Sequence, residues 1–341
     1  MTKRELVLAA LRGEKVERVP VGFWHHFVKD ELHADALADS EIAEANVAGH
    51  QQFIQAVAPD FIKLMSDGYF RYPDEALEQV QTPADLAQIK GLSENHPWFT
   101  EQVALVRRQR EQFVEEIVSF YNIFSPATLL KWQLPGGEKQ LAELIVADPV
   151  AVAHALQVIA KDLAHLAQLV IQESGTEGIY FSVQNLQDSR VVASLYQQVI
   201  APAEKSVLKA AEAVSGLTVL HICGYEGAQN DLTWYLDYPA TAVNWAVTVE
   251  GVSLAAGQRL FQRPVLGGFN NTTAGILYQG SQEEVFAETR RLLQEAGTQG
   301  VLLGADCTVP LAIAPQRLDW VREAAIAYGT AIAPAPEEAV S

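Results

Sequence analysis

The chain has 341 residues, and its 42 acidic and 24 basic side chains give a formal net charge of −18 at pH 7. Nucleic acids and anionic membrane surfaces both need basic protein surface, so this charge argues against either as a partner. Half of the residues are apolar, yet no apolar run approaches the roughly 18 residues that span a bilayer. The segment from Met1 to Leu6 is charged where a signal peptide needs an apolar stretch, so we expect a cytoplasmic protein with reduced thiols.

A helix opens the chain, and strands then alternate with helices. Thr2 and Glu5 have the spacing of a capping box, and Gly13 is predicted to end this first helix. Eight short segments rich in Val, Ile, Leu or Phe follow, without strict alternation, which is typical of strands buried on both faces. The predicted strands are 19–23, 60–65, 117–122, 178–183, 217–223, 242–247, 264–269 and 300–305.

The spacing of these strands predicts the fold. Helical stretches separate them, among them 148–173, 203–214, 281–296 and 316–328. Eight strands alternating with helices over about 300 residues fit a (β/α)8 TIM barrel. The chain has no Gly-rich nucleotide-binding motif that would favour an open sheet.

The domain organisation follows from this pattern. We predict a single barrel domain over residues 1–332, with an N-terminal helix and a helical insertion at about 69–116. The tail 333–341 contains two prolines and two glutamates and is predicted to be disordered.

Polar or aromatic residues stand at the carboxyl end of every predicted strand. In TIM barrels this rim carries the chemistry, so we expect these residues to converge on one mouth. They are Trp24, His25, His26, Ser66, Asp67, Tyr121, Asn122, Ser182, Gln184, His221, Cys223, Asn244, Asn270, Asn271, Asp306 and Cys307.

The only two cysteines of the chain are both in this set. Side chains alternate along a strand, so His221 and Cys223 point to one face, about 7 Å apart. Cys307 arrives from a distant strand. Zinc favours such nitrogen and sulfur ligands, and three of them leave a fourth position for water or substrate. The alternative is that both cysteines are inert core residues, since cysteine is among the most buried residue types.

The roles of Asp67 and of the adjacent pair His25 and His26 are also open. Asp67 is either a helix cap on the loop after the second strand or a catalytic acid. His25 and His26 are adjacent and point in opposite directions if the strand continues, so at most one of them faces the mouth.

Several segments together resemble a known family. The segments 18–21, 63–67, 221–224, 243–245, 266–270 and 304–307 resemble the uroporphyrinogen decarboxylase superfamily of (β/α)8 barrels, and the resemblance covers nearly the whole chain. Asp67 matches the position of the essential aspartate of the decarboxylases.

The decarboxylase branch of this superfamily carries an arginine-bearing loop after the first strand, which binds the carboxylates of the tetrapyrrole. The corresponding segment here, 22–29, has no arginine. A substrate with eight carboxylates needs concentrated positive charge, because unpaired carboxylates are costly to desolvate. The decarboxylases also tend to have a histidine in the last-strand turn, where this chain has Asp306 and Cys307.

The other branch comprises zinc-dependent methyl- and alkyltransferases, including the methylcobalamin:coenzyme M methyltransferases. Their His-x-Cys motif and distant cysteine match His221, Cys223 and Cys307, which implies a Zn²⁺ site. Family members often have Cys-Gly near the last ligand, whereas Thr308 follows here. The displaceable fourth ligand is often a carboxylate, and Asp306, Glu226 and Asp67 are all candidates.

The resemblance implies an enzyme that moves a methyl or alkyl group to a small thiol bound at the barrel mouth. Asp67 and Tyr121 are the candidate catalytic residues. The residues expected to bind and orient the reactants are Asn244, Asn270, Gln184, Ser182 and His25.

The chain has no Asp-x-His-x-x-Gly segment of the kind found in corrinoid-binding modules. If methylcobalamin is the donor, a separate corrinoid protein is therefore expected to present it. Dimers are common in the superfamily, so the resemblance also implies a homodimer. Two alternatives stay open: decarboxylation of a tetrapyrrole using Asp67, and a non-catalytic binding protein.

Overall fold

The computed structural model describes residues 1–111, 113, 117–184 and 186–332, except for the side chain of Glu226. The predicted disordered tail, 333–341, lies outside these residues, as does part of the end of the predicted insertion.

Seven parallel strands form one curled sheet in which each strand pairs with the next along the chain. The register across the third, fourth and fifth strands places Ser182 beside His221 and His221 beside Asn244. These residues therefore share one level of the inner surface. The strands are β1 (Phe61–Leu64), β2 (Val118–Phe124), β3 (Gly178–Gln184), β4 (Thr218–Cys223), β5 (Ala242–Trp245), β6 (Val265–Phe269) and β7 (Val301–Ala305).

The predicted first strand, 19–23, is reduced to one isolated parallel bridge between Val21 and Leu303. Leu303 donates to the carbonyl of Pro20 at 2.9 Å and accepts from Gly22 at 3.0 Å, while Asp60 donates to the carbonyl of Val21 at 2.9 Å. Pro20 has no N–H of its own, so a regular ladder cannot form here. The segment still links β7 to β1, and the fold is a TIM-barrel-like α/β fold.

Thirteen α-helices lie among the described residues, and eleven of them, α3 to α13, lie in the connections that follow a strand. Asp148 and Ser281, the first residues of the predicted helices 148–173 and 281–296, are the N-caps of two of them, whereas the predicted helix 203–214 starts two residues earlier, with Pro202 in its first turn. The helices are α1 (Lys3–Leu11), α2 (Ser40–Val57), α3 (Pro97–Glu111), α4 (Pro126–Gln133), α5 (Gly137–Ala147), α6 (Pro149–Ser174), α7 (Ala193–Val199), α8 (Ala201–Glu212), α9 (Val247–Glu250), α10 (Leu254–Phe261), α11 (Ile276–Gln279), α12 (Gln282–Ala296) and α13 (Pro315–Ile332).

The insertion between β1 and β2 contains two short 3-10 helices, Glu75–Gln79 and Pro83–Gln88, followed by α3. The second 3-10 helix and α3 both pack against α6. By length and composition α6 could cross a membrane, but half of its most apolar window is buried inside the fold, where it also packs against α8.

The inner surface of the barrel changes character along its axis. At the amino end, apolar side chains from the strands pack against α1, which closes that end; they include Phe61, Val118, Phe120, Val219, Leu266 and Leu302. Nearer the carboxyl end the buried inner residues are polar, and they include Lys63, Asn122, Ser182, His221 and Asn244. Any site inside the barrel is therefore confined to the carboxyl end.

One buried ion pair supports the closure of the barrel. Both terminal guanidinium nitrogens of Arg18 donate to the carboxylate of Asp60, at 2.6 and 2.7 Å, and the N–H of Val21 donates to the same carboxylate at 2.8 Å. Asp60 is fully buried, so its charge has little access to water.

We predict that Asp60→Asn lowers the free energy of unfolding by about 3 kcal/mol, because it leaves Arg18 without its charge partner at a largely buried position. Urea unfolding of both proteins measures this. Glu14→Gln, which breaks the exposed Arg12–Glu14 pair, is the matched control and should cause no measurable change. An equally small effect of Asp60→Asn would contradict this role.

A second buried carboxylate lies outside the barrel wall. Glu204 of α8 accepts hydrogen bonds from the hydroxyls of Tyr196 at 3.0 Å and Tyr238 at 2.5 Å. Burial raises its pKa to about 7, although these hydrogen bonds act in the opposite direction.

Because the folded state then binds a proton that the unfolded state releases, stability falls as the pH rises from about 4.5 to about 7. We predict that wild-type protein loses on the order of 3 kcal/mol more than Glu204→Gln across this window. Urea unfolding of both metal-free proteins at pH 5 and pH 8 measures the difference. Parallel losses in the two proteins would show that Glu204 keeps an ordinary pKa.

Candidate metal centre

A cavity of about 190 Å³ opens at the carboxyl end of the barrel. It combines one buried cation, a cluster of aromatic rings and both cysteines. Its lining residues are His26, Glu31, Leu32, Lys63, Phe70, Phe124, Trp132, Ser182, Gln184, His221, Cys223, Tyr225, Cys307 and Thr308.

The structure brings the three predicted metal ligands together in this cavity. One ligand atom each from His221, Cys223 and Cys307 lies within 4.8 Å of the others. β4 supplies the first two from one face, as strand alternation predicts, and Cys307 follows the end of β7. The two cysteines are free thiols.

The imidazole of His221 is hydrogen-bonded to a buried side-chain amide. Its Nδ1 is hydrogen-bonded to Oδ1 of Asn244, which also accepts from the hydroxyl of Tyr180 at 2.6 Å. Because an amide oxygen only accepts, Nδ1 carries the proton and Nε2 presents its lone pair. Nε2 is buried and has no hydrogen-bond partner among the described residues.

The two thiols interact directly. The pKa of Cys307 is lowered well below its usual range because the Cys223 thiol donates to it, and the positive charge of Lys63 acts in the same direction. The same contact, together with burial, raises the pKa of Cys223. One sulfur of the pair is thus prepared as a thiolate, the form that binds metals.

This donor set fits a zinc ion. Two sulfurs and one imidazole are ligands that zinc prefers, and an unpartnered buried nitrogen is costly unless something binds it. The amide that fixes the ring and its tautomer is the kind of outer contact that orients metal-binding histidines.

Three carboxylates were open as the fourth ligand. Asp306 accepts from the N–H of Thr248 at 2.9 Å with one oxygen, while its other oxygen is buried without a partner, and burial raises its pKa to about 6. It lies outside the group of mutually close ligand atoms, as does Asp67. The side chain of Glu226 lies outside the described part of the chain.

Asp67 is fully buried and does not line the cavity. Its Oδ1 is hydrogen-bonded to Nδ1 of His26 at 2.8 Å, and its Oδ2 accepts from the N–H of Phe27 at 2.7 Å. His26 does line the cavity, whereas His25 packs against Phe27 and Phe53 over a separate groove, and burial lowers its pKa. The catalytic role of Asp67 stays a prediction.

Ser182 and Gln184 line the cavity, and Oε1 of Gln184 is buried without a partner. Tyr121, Asn244 and Asn270, which were also predicted to act on the reactants, do not line the cavity. Tyr121 faces away from the barrel interior and donates to Gln102 of α3 at 2.9 Å. Asn270 accepts from the N–H of Thr272 at 2.7 Å in a turn, and Asn244 supports His221.

One lining residue, Lys63, was not among the site residues predicted from the sequence. It is 97% buried inside the barrel, its ammonium lies 4.4 Å from the centre of the Tyr180 ring, and burial lowers its pKa. The signal was present in the sequence, because a lysine in the middle of a buried apolar strand is rarely a packing residue.

One wall of the cavity is aromatic. The rings of Phe70 and Phe124 lie 4.8 Å apart, and Trp132 lies 4.7 Å from Phe124 and stacks on Phe70 at 5.8 Å. None of the described lining residues is an arginine. The cavity therefore offers apolar surface and a single cation beside the sulfur ligands.

We predict that Asn244→Ala weakens zinc binding by about 10- to 100-fold, because the imidazole loses the contact that fixes its orientation. Competition with a chromogenic zinc chelator measures the affinity. Asn270→Ala removes an amide from the same rim without touching His221, so it should bind zinc like the wild type. Equal affinities of all three proteins would exclude this role of Asn244.

Comparison with known proteins identifies the family. The family model for uroporphyrinogen decarboxylase (URO-D) matches residues 71–328. A search of curated proteins found no match.

Solved structures share the fold at low sequence identity. A methyltransferase from Methanosarcina mazei aligns with a TM-score of 0.72 at 15% identity, covering 96% of this chain and 99% of its own. A B12-independent methionine synthase from Shewanella sp. W3-18-1, in complex with selenomethionine, has a TM-score of 0.51 at 12% identity, covering 92% and 97%. A β-mannanase from the blue mussel Mytilus edulis has a TM-score of 0.53 at 10% identity, covering 90% and 92%. The family model covers well over half of the sequence, and the chain belongs to the uroporphyrinogen decarboxylase family.

Proposed function

We propose that this protein is a zinc-dependent methyl- or alkyltransferase that moves a methyl group to a small thiol. The observation that carries the proposal is the convergence of His221, Cys223 and Cys307 in the cavity at the barrel mouth. Two similar structures are described as a methyltransferase and a methionine synthase, which agrees with the proposal while showing only the fold.

When bound by these three residues, zinc supplies the Lewis acidity that keeps a thiol sulfur anionic and nucleophilic at neutral pH. The chain's own residues do the rest. Lys63 places positive charge near the sulfurs, where an incoming thiolate adds negative charge. Ser182 and the unpartnered Oε1 of Gln184 are placed to bind the polar end of the acceptor.

The size of the cavity bears on the methyl donor. At about 190 Å³ it is smaller than the roughly 300–1,000 Å³ of sites that enclose drug-sized ligands. A donor as large as methylcobalamin would have to stay outside, which supports delivery by a separate corrinoid protein.

The homodimer that the family resemblance implies stays a prediction.

The runner-up is decarboxylation of a tetrapyrrole. The described cavity lining has Lys63 as its only lysine or arginine, far less positive charge than eight carboxylates require. Asp67 binds His26 and a backbone N–H instead of facing the cavity. Both observations favour methyl transfer.

We predict that Cys223→Ser abolishes methylation of small thiols with methylcobalamin as donor, because serine does not replace a thiolate ligand. The assay compares wild-type and variant proteins that have both been incubated with zinc, and urea unfolding checks that the variant folds. Wild-type activity in the variant would refute the mechanism. Uroporphyrinogen is tested in parallel, and its decarboxylation at equal rates by both proteins would establish the runner-up.

A further inference from the structure

A second pair of functional groups, His26 and the Asp67 behind it, belongs to the same cavity as the candidate metal ligands. We propose that His26 accepts the proton of the acceptor thiol, with Asp67 as the positioning residue that prepares its imidazole. This inference rests on the proposed function, because it concerns how the thiol becomes a nucleophile at that site.

The imidazole of His26 is fixed in one tautomer. Its Nδ1 lies 2.8 Å from Oδ1 of Asp67, a fully buried carboxylate. The N–H groups of Phe27 and Val28 donate to the other carboxylate oxygen at 2.7 and 3.4 Å, so the carboxylate cannot turn away. A carboxylate accepts and does not donate, so Nδ1 carries the proton and Nε2 offers its lone pair.

The position of His26 connects the cavity to solvent. The residue lines the same cavity as Cys223 and Cys307, and its side chain is 26% exposed. Its ring packs at 6.0 Å from Phe70 of the aromatic wall. A proton taken up inside the cavity can therefore be passed to water at the rim.

The chemistry needs such a group. A free thiol has a pKa of about 8.5 and is mostly protonated at neutral pH. As the sulfur reaches the metal ligands, the S–H bond breaks, its electron pair stays on sulfur and the proton forms an N–H bond at Nε2. The products are a thiolate and an imidazolium, and the imidazolium later releases its proton to water.

The surrounding charges favour this transfer. Two carboxylates stand beside the ring: Asp67 at Nδ1, and Glu31, whose carboxylate lies 3.9 Å from Nε2. Lys63 lies in the same cavity and stabilises the thiolate. His25, the neighbouring titratable group, packs against Phe53 and is directed into the separate groove.

The alternative is that the His26–Asp67 pair only holds the loop after the first strand segment. The number of protons released when a thiol binds distinguishes the two roles, because a residue that only anchors a loop does not take up the proton of the thiol. The positioning role of Asp67 can be separated as well. In Asp67→Asn the amide can donate to Nδ1, which moves the imidazole proton to Nε2 and removes the base without removing the ring.

The experiment titrates zinc-loaded protein with 2-mercaptoethanol at pH 7 in buffers of different ionisation enthalpy, which gives the protons released per bound thiol. We expect His26→Gln and Asp67→Asn to release about one proton and the wild type clearly fewer, because the wild type keeps the proton on His26. His33→Gln is the matched control: His33 is exposed, pairs with Asp30 and lies outside the cavity lining, so this variant should match the wild type.

A second measurement follows KM for the same thiol. In His26→Gln it should rise severalfold at pH 7 and return toward the wild-type value as the pH approaches the thiol's own pKa, where no base is needed. Equal proton release by wild type and both variants would overturn the role of His26 and leave the proposed function standing. If zinc-loaded wild type binds no thiol, or Cys307→Ser binds it equally well, the proposed function itself fails.

Discussion

The buried amide of Asn244 is the constraint on which the rest of the site depends. From β5, its oxygen accepts from Tyr180 on β3 and His221 on β4. Its nitrogen donates to the carbonyl of Leu266 on β6 at 2.8 Å and to that of Ala305 on β7 at 3.3 Å. One side chain thus ties five strands together, and because it is fully buried, a lost bond would leave an unsatisfied polar group.

Through these hydrogen bonds of Asn244, the fold determines which nitrogen of His221 carries the proton. The amide orientation is fixed by two backbone carbonyls, which can only accept, so its oxygen must face His221. The imidazole must then keep its proton on Nδ1 and present Nε2 to the sulfurs. The tautomer of a ligand at the mouth is therefore determined by peptide groups on β6 and β7, of which only β7 leads into another ligand, Cys307.

Much of this arrangement was predictable from the sequence because it depends on periodicity. Alternation along β4 places His221 and Cys223 on one face, and parallel register places Cys307 at the same rim. The same rule could have placed Tyr121 correctly, since its neighbour Asn122 faces the interior and adjacent residues face opposite sides. A position at the end of a strand was therefore a weaker predictor of a site residue than the face of the strand on which the residue lies.

The remaining features of the site depend on three-dimensional contacts that the periodicity of the sequence does not predict. The first strand segment is reduced to an isolated bridge at Val21, so alternation could not decide between His25 and His26, and the contact with Asp67 fixes the second ring at the cavity. Lys63 was missed for another reason: it lies within β1, below the rim where candidates were sought.

The fold itself does not select the reaction, since a β-mannanase and a methionine synthase share it. What distinguishes this barrel is the balance of charge in a small, largely apolar cavity. Two sulfurs, Glu31 and one buried lysine line this cavity, and aromatic rings form one of its walls. Each charge in such a place must be offset by a neighbour or by a bound ion. A divalent metal bound by the sulfurs would offset their thiolate charge, and Lys63 would then be left to offset the incoming thiolate of the proposed reaction.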